Sequence, residues 1–85
     1  MTIEILKFYT PTCMPCRMVG KVLDQLISEN SDIKVTNIDA TEDIAKVDEY
    51  EIFSTPTLVF LKDGKEFNRK NGVISLKELK EICFS

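Results

Sequence analysis

Histidine is absent from the 85 residues of this chain. Without it the chain cannot form a Cys-His catalytic pair, and it lacks the usual general base. A structural zinc site needs four ligands, and a Cys-x-x-Cys pair in a metal site normally comes with a second such pair or two histidines. Here only Cys83 could join the pair of Cys13 and Cys16. We therefore expect no metal site.

Long apolar runs are also missing. The longest, Leu58–Leu61, has four residues, whereas a membrane-spanning helix needs about 20. Glu4 and Lys7 interrupt the stretch where a secretory signal would need continuous apolar residues. We therefore expect no membrane association, no signal peptide and a cytoplasmic location.

The chain has no excess of basic residues. Eleven lysines and arginines stand against fourteen acidic residues, giving a net charge of −3. Nucleic acids and anionic lipids require a basic face, so neither is expected as a partner. The length predicts a single domain over residues 1–85, and the size and surface composition favour a monomer.

Two of the three cysteines lie close together, in Cys13-Met14-Pro15-Cys16, and the third is Cys83. Secreted mini-proteins stapled by disulfides have an even, dispersed set of cysteines instead. The close pair is a dithiol that can close on itself. Cys83 falls on the apolar face of a predicted helix, so we expect a buried structural thiol there.

Hydrophobic periodicity predicts the element order β-α-β-α-β-β-α. Apolar residues at both parities of the first strand are typical of a central strand covered on both faces. An Asp63-Gly64 turn is expected to join the last two strands as a hairpin. The predicted strands are Thr2–Tyr9, Ile33–Asp39, Thr57–Lys62 and Lys65–Lys70.

The first helix is predicted to carry the cysteine pair at its N-terminus. Pro15 fits the first turn, where its missing N–H costs nothing. Cys13 is then expected at the cap and Cys16 inside the helix. Gly20 in mid-helix should cost about 1 kcal/mol relative to alanine, and we attribute it to close packing against the sheet.

The other two helices are predicted from their caps. A short acidic helix over about Thr41–Tyr50 is expected, with Asp39 and Glu42 near its start and Ile44 and Val47 facing inward. Ser75 is expected to cap the last helix, whose apolar face would carry Leu76, Leu79, Ile82 and Cys83.

The arrangement of these motifs resembles the thioredoxin family. Phe8-Tyr9 leads into the cysteine pair, and Thr55-Pro56-Thr57 follows about 40 residues later, before an apolar strand. Lys62-Asp63-Gly64 and a Gly72 ahead of the last helix complete the pattern. The resemblance implies an α/β protein with a minimal thioredoxin fold: a four-stranded mixed sheet flanked by three helices.

The resemblance also implies a thiol-disulfide oxidoreductase with no bound cofactor. Cys13 would attack a substrate disulfide as the thiolate, and Cys16 would resolve the mixed disulfide. Disulfide-containing proteins would be its substrates, and an NADPH- or ferredoxin-dependent thioredoxin reductase would supply electrons. Pro15, Lys7 and Tyr9 would support the site. The rim that binds substrate would comprise Thr12, Met14, Ser54, Thr55, Pro56 (in a cis-proline loop), Gly72 and Val73.

Several positions depart from the family pattern. Thr12 and Met14 replace the usual tryptophan and glycine around Cys13, Lys21 replaces a helix-kinking proline, and Lys7 replaces a buried acid. By alternation with Ile3 and Ile5, Lys7 would point into the interface between sheet and helix, where desolvation would lower its pKa. A neutral amine there could accept the Cys16 proton, whereas a charged one would stabilise the Cys13 thiolate. The alternative is that its stem packs and its ammonium group reaches solvent.

A glutaredoxin-like enzyme recharged by glutathione is the alternative function. The short length and the Tyr9-Thr10-Pro11-Thr12 segment resemble glutaredoxins. Those proteins, however, usually carry Cys-Pro-Tyr-Cys and a Gly-Gly pair before the last helix. Here Asn71 stands at the first of the two glycines, so the thioredoxin-like function is favoured.

Overall fold

A computed structural model describes residues 2–84. Its strands form a mixed sheet in the order β2-β1-β3-β4. β1 runs parallel to β2 and antiparallel to β3, which pairs antiparallel with β4. This is the predicted element order and sheet type. The elements are β1 (Ile3–Tyr9), α1 (Met14–Glu29), β2 (Lys34–Asp39), α2 (Ile44–Glu49), β3 (Thr57–Lys62), β4 (Lys65–Asn71) and α3 (Leu76–Phe84).

The central strand β1 is buried on both faces, as its sequence predicts. Ile5 belongs to the core formed with α1 and α3, which includes Leu23 and Leu79. Phe8 belongs to a second core on the opposite face, where it packs with Ile52. Burying each of these side chains contributes about 1.5–3 kcal/mol to stability, so apolar packing on both faces stabilises β1 at the centre of the sheet. Lys7 shares the parity of Ile5 and therefore faces α1.

Helix α2 begins later than the sequence predicts, because a different residue caps it. Asp43 is the N-cap, and its Oδ1 accepts a hydrogen bond from the Lys46 N–H at 3.1 Å. The expected caps, Asp39 and Glu42, lie before the helix. Asp39 instead stabilises the preceding turn by accepting hydrogen bonds from the N–H and the hydroxyl of Thr41, at 2.9 and 2.6 Å.

The inward position predicted for Ile44 is wrong. Because the helix starts at Ile44, this residue occupies the first turn, and it is 56% exposed. Val47 packs against the core that contains Phe8, as predicted. The later start therefore leaves only the second half of the expected apolar face in contact with the sheet.

Helix α3 agrees with the sequence prediction at its start and on its buried face. The Ser75 Oγ accepts a hydrogen bond from the Glu78 N–H at 3.1 Å. Leu79 and Cys83 are buried, and burial raises the pKa of the Cys83 thiol. Cys83 is thus the buried thiol that was expected. Within residues 2–84, no helix combines the length and apolar character that crossing a bilayer requires.

Candidate active site

The predicted site residues come together because four strand ends share one edge of the sheet. Tyr9 at the end of β1 pairs with Asp39 at the end of β2. One residue earlier, Phe8 pairs with Thr57 at the start of β3, and Thr57 pairs with Asn71 at the end of β4. The loop after β1, the loop before β3 and the turn after β4 therefore lie at this edge.

The cysteine pair forms a disulfide at the start of α1. Cys13 is the N-cap with extended backbone angles, φ −84° and ψ 105°. Its N–H donates a hydrogen bond to the Thr10 carbonyl at 3.2 Å, which closes the turn leaving β1. The two Cα atoms are 5.2 Å apart, within the usual range for a disulfide. Pro15 lies in the first turn, as the sequence predicts.

The two sulfurs differ in their surroundings. Cys13 is half-buried, whereas Cys16 is only 2% exposed. The Cys13 Sγ accepts a hydrogen bond from the Cys16 N–H at 3.1 Å, so a backbone N–H of the first helical turn, which has no carbonyl partner within the helix, points at this sulfur. No acidic residue lies in the first turn. Helix N-termini favour thiolates, and Cys13 is the residue that caps this one.

The loop before β3 contains a cis peptide bond between Thr55 and Pro56, the isomer that the resemblance implies. Two hydrogen bonds fix the loop. The Thr57 hydroxyl donates to the Ser54 carbonyl at 2.7 Å, and the Gly72 N–H donates to the Pro56 carbonyl at 2.9 Å. Gly72 has φ +85°, a conformation that favours glycine.

Most of the expected rim residues lie on the surface. Met14 is 65% exposed, Val73 is half exposed, and Thr12 and Ser54 are also exposed. Thr55 and Gly72 are intermediate in exposure. Pro56 differs, because its ring is fully buried. It therefore supports the loop from beneath and does not line the rim.

Sequence reasoning missed Phe53, which is 92% exposed in the loop before the cis-proline. The available signal was a large aromatic residue in a segment predicted to be a loop. Met18 is also exposed, one helical turn after Met14. These two side chains extend the apolar surface beyond the expected rim.

Lys7 is half-buried in the interface between sheet and helix, as its parity predicts. It lines a cavity of about 310 Å³ together with Gly20, Asp24 and Asn37. A Cβ on Gly20 would lie 2.9 Å from the Lys7 Nζ, so the glycine makes room for the ammonium group. Burial lowers the pKa of Lys7, and the Asp24 carboxylate opposes that shift. The Nζ lies 5.8 Å from the centre of the half-buried Tyr9 ring.

The thioredoxin family model matches residues 2–84 of the chain. The chain belongs to the thioredoxin family. It is 32% identical to a thioredoxin of Mycoplasmoides gallisepticum, over 92% of this chain and 78% of that protein. It is 36% identical to a thioredoxin of Bacillus subtilis, over 88% of this chain and 73% of that protein.

Solved thioredoxin structures share the fold. The structure of Fasciola hepatica thioredoxin superimposes with a TM-score of 0.86 at 27% identity, covering 95% of this chain and 77% of that one. Family membership and the closed cysteine pair make this chain a thiol-disulfide oxidoreductase of the thioredoxin type. They favour that function over the glutaredoxin-like alternative. The redox group of this thioredoxin-family protein is the Cys13–Cys16 pair itself.

Proposed function

We propose that this protein reduces disulfides in client proteins, with Cys13 as the attacking thiolate and Cys16 as the resolving thiol. The observation that carries the assignment is the difference in exposure between the two sulfurs. Cys13 is accessible and accepts a hydrogen bond from the helix N-terminus, whereas Cys16 is shielded. An attacking sulfur must reach a second protein, and a resolving sulfur needs to reach only its neighbour.

The proposed cycle moves two electrons from the protein to the client. The Cys13 thiolate attacks one client sulfur, which forms a mixed disulfide and releases the other client sulfur as a thiolate. Cys16 loses its proton and attacks the Cys13 sulfur, which releases the second client thiolate. The products are a client dithiol and the Cys13–Cys16 disulfide.

Proximity contributes more to this cycle than thiolate formation does. When a thiol pKa falls from about 8.5 to about 7, the thiolate fraction at pH 7 rises from about 3% to about 50%. Intrinsic nucleophilicity falls about fivefold over the same change, because the Brønsted slope is about 0.5. The net gain in attack rate is then only about threefold. Holding Cys16 beside the mixed disulfide makes the second step intramolecular, with far larger gains available.

Client proteins are proposed to bind as extended segments against the cis-proline loop. The Thr55 N–H and carbonyl would pair with the client backbone, as in strand addition. The surrounding rim is uncharged, with Thr12, Met14 and Val73 exposed. Such a rim suits client segments of varied sequence, and the exposed ring of Phe53 adds apolar contact area.

Cysteine variants test the assignment of the two roles. In Cys16→Ser the resolving thiol is missing, so a mixed disulfide between Cys13 and a client protein should accumulate. Cys13→Ser is the matched control and should trap none. Non-reducing gel electrophoresis with mass spectrometry identifies the linked cysteine. Trapping through Cys16 in the Cys13→Ser variant would reverse the assignment.

A thioredoxin reductase that draws on NADPH or ferredoxin is proposed to recharge the disulfide. The cytoplasm is the proposed location, since a protein-disulfide reductase works where thiols are kept reduced.

Two reductants test the source of electrons. The oxidised protein is mixed either with millimolar glutathione or with NADPH and a thioredoxin reductase. We expect rapid reduction by the reductase. Rapid reduction by glutathione, with none by the reductase, would instead favour the glutaredoxin-like function.

Lys7 is proposed to stabilise the thiolate forms of the pair through its positive charge. Gly20, whose space it occupies, lies four residues after Cys16, which is one helical turn along the same face. The nearby Asp24 carboxylate favours the charged state of the lysine. The ammonium would therefore act on Cys16 as a nearby cation.

A further inference from the structure

Thr57 combines deep burial with a polar side chain, directly after the cis-proline. It is 1% exposed, and its hydroxyl has two neighbours. The Ser54 carbonyl lies 2.7 Å away and the Asn71 side-chain amide 2.9 Å away. A hydroxyl has one proton to donate and lone pairs to accept. The structure places the Asn71 Oδ1 at this contact. Because a carbonyl can only accept, we give the single hydroxyl proton to the Ser54 carbonyl, and we assign the Asn71 amide the reversed orientation, in which its NH₂ group donates to the Thr57 oxygen.

Asn71 and Gly72 hold the two sides of the cis-proline loop from the end of β4. The side chain of Asn71 contacts Thr57, and the next backbone N–H, that of Gly72, donates to the Pro56 carbonyl. Little apolar packing holds the outer part of the loop, since Phe53 and Ser54 are both exposed. The shape of the loop therefore depends on these hydrogen bonds.

A β-bulge delivers Asn71 to this position. The two-residue Asp63-Gly64 turn and the first pairs after it, if continued regularly, would set Lys70 opposite Thr57. The register shifts between Phe60 and Leu61, leaving one extra residue in β4. Asn71 consequently takes the place opposite Thr57, and a neutral amide replaces a lysine next to the loop.

We propose that Asn71 is a positioning residue for client binding. Through the Thr57 hydroxyl it orients the Ser54 carbonyl, and with it the loop that presents the Thr55 backbone. It touches neither sulfur of the reacting pair. This inference rests on the proposed docking of a client segment along Thr55, and it adds a residue whose effect is on client affinity.

The test compares a protein substrate with a small one. Insulin serves as the disulfide-bearing protein, and 2-hydroxyethyl disulfide as a substrate too small to need the loop. We expect Asn71→Ala to raise KM for insulin about 2–10-fold, the loss of one hydrogen bond, with kcat and the rate on the small disulfide unchanged. Thr57→Val should raise KM for insulin at least as much. Thr57→Ser keeps the hydroxyl and should leave this KM at the wild-type value.

Two further variants separate positioning from stability. Thr36→Val is the matched control, because the Thr36 hydroxyl also donates a part-buried hydrogen bond, to the Glu4 carboxylate at 2.7 Å, but Thr36 lies on β2, away from the cis-proline loop. It should lower stability without changing KM. The Thr57→Val, Asn71→Ala double variant should raise KM for insulin no more than Thr57→Val alone does, since both changes remove the same Thr57–Asn71 interaction.

The outcomes distinguish this inference from the proposed function. If the wild-type protein does not reduce insulin, the proposed function fails first. If it does, an unchanged KM in Asn71→Ala overturns the inference. Equal losses on insulin and on 2-hydroxyethyl disulfide would also overturn it, because they would indicate general damage to the site.

Discussion

Replacing Lys7 with methionine should raise the pKa of the Cys16 thiol. The substitution removes the positive charge while keeping a flexible apolar side chain in the cavity between sheet and helix. The Lys7 Nζ lies 2.9 Å from where a Gly20 Cβ would be. Residues four apart on a helix have Cβ atoms about 5–6 Å apart. These separations limit the distance between the ammonium and the Cys16 sulfur to at most roughly 11 Å, and we take about 8 Å for the estimate.

The size of the effect follows from Coulomb's law. Two unit charges about 8 Å apart interact by about 2 kcal/mol at an effective dielectric constant near 20, and by about 0.5 kcal/mol in water. These energies correspond to about 0.4–1.5 pKa units. Lys7 is only half-buried, so we expect a value near the lower end, about 0.5 unit. The direction is upward, because losing a nearby cation disfavours the thiolate.

Ultraviolet absorbance of the thiolate measures this pKa without requiring reagent access to the buried sulfur. The titration is done in a Cys13→Ser background. The absorbance of the corresponding Cys13→Ser, Cys16→Ser variant is subtracted, which removes the contributions of Cys83 and the tyrosines. Lys21→Met is the matched control, because Lys21 is an exposed lysine on the same helix. It should leave the titration unchanged within about 0.2 unit, since exposed charges are strongly screened.

Superimposable titrations of the Lys7→Met variant and its parent would refute the proposed role of Lys7. So would equal shifts in Lys7→Met and Lys21→Met, which would reflect net charge alone. A lower Cys16 pKa in Lys7→Met would mean that Lys7 disfavours the thiolate in the parent protein. A neutral lysine could do so by desolvating the Cys16 sulfur or by accepting a hydrogen bond from the thiol. In each of these cases, Lys7 would have no part in stabilising the thiolate.

Four other predictions concern the stability of the fold, the accessibility of Cys83 and the binding of client proteins. Gly20→Ala should raise the free energy of unfolding, measured in urea, by about 0.5–1 kcal/mol, because alanine favours the helix and the flexible tip of Lys7 can move aside. A lower free energy of unfolding would show that the Lys7 side chain cannot move. Leu79→Ala, at a fully buried position, should lower that free energy by about 2–5 kcal/mol, and a loss under 1 kcal/mol would contradict its place in the core. Cys83 should resist thiol reagents at neutral pH until the protein unfolds, since burial raises its pKa; mass spectrometry of the native protein would expose any early labelling. Phe53→Ser should leave stability unchanged within about 0.5 kcal/mol while raising KM for a protein disulfide, and an unchanged KM would exclude a client contact.

The backbone of the site could be predicted where its signals act within one helical turn. Pro15, the cysteine pair and the apolar period of α1 all specify the same helix start, and Cys13 is its cap. The second helix could not be placed in this way. Asp39 and Asp43 lie four positions apart, and aspartate is an equally good N-cap at either position. The choice of Asp43 depends on the turn after β2, where Asp39 is already bonded to Thr41.

The contacts that complete the site join residues that are distant in the chain, and local patterns do not specify them. Thr57 and Asn71 are separated by 14 positions, and they meet only because one extra residue in β4 changes the register. A regular hairpin from the Asp63-Gly64 turn would have brought the charged Lys70 to the same place. Lys7 and Gly20 meet in the same way, across a sheet and a helix. The sequence therefore predicts where the sulfurs lie, whereas the residues that adjust their surroundings depend on strand register and on the space between elements.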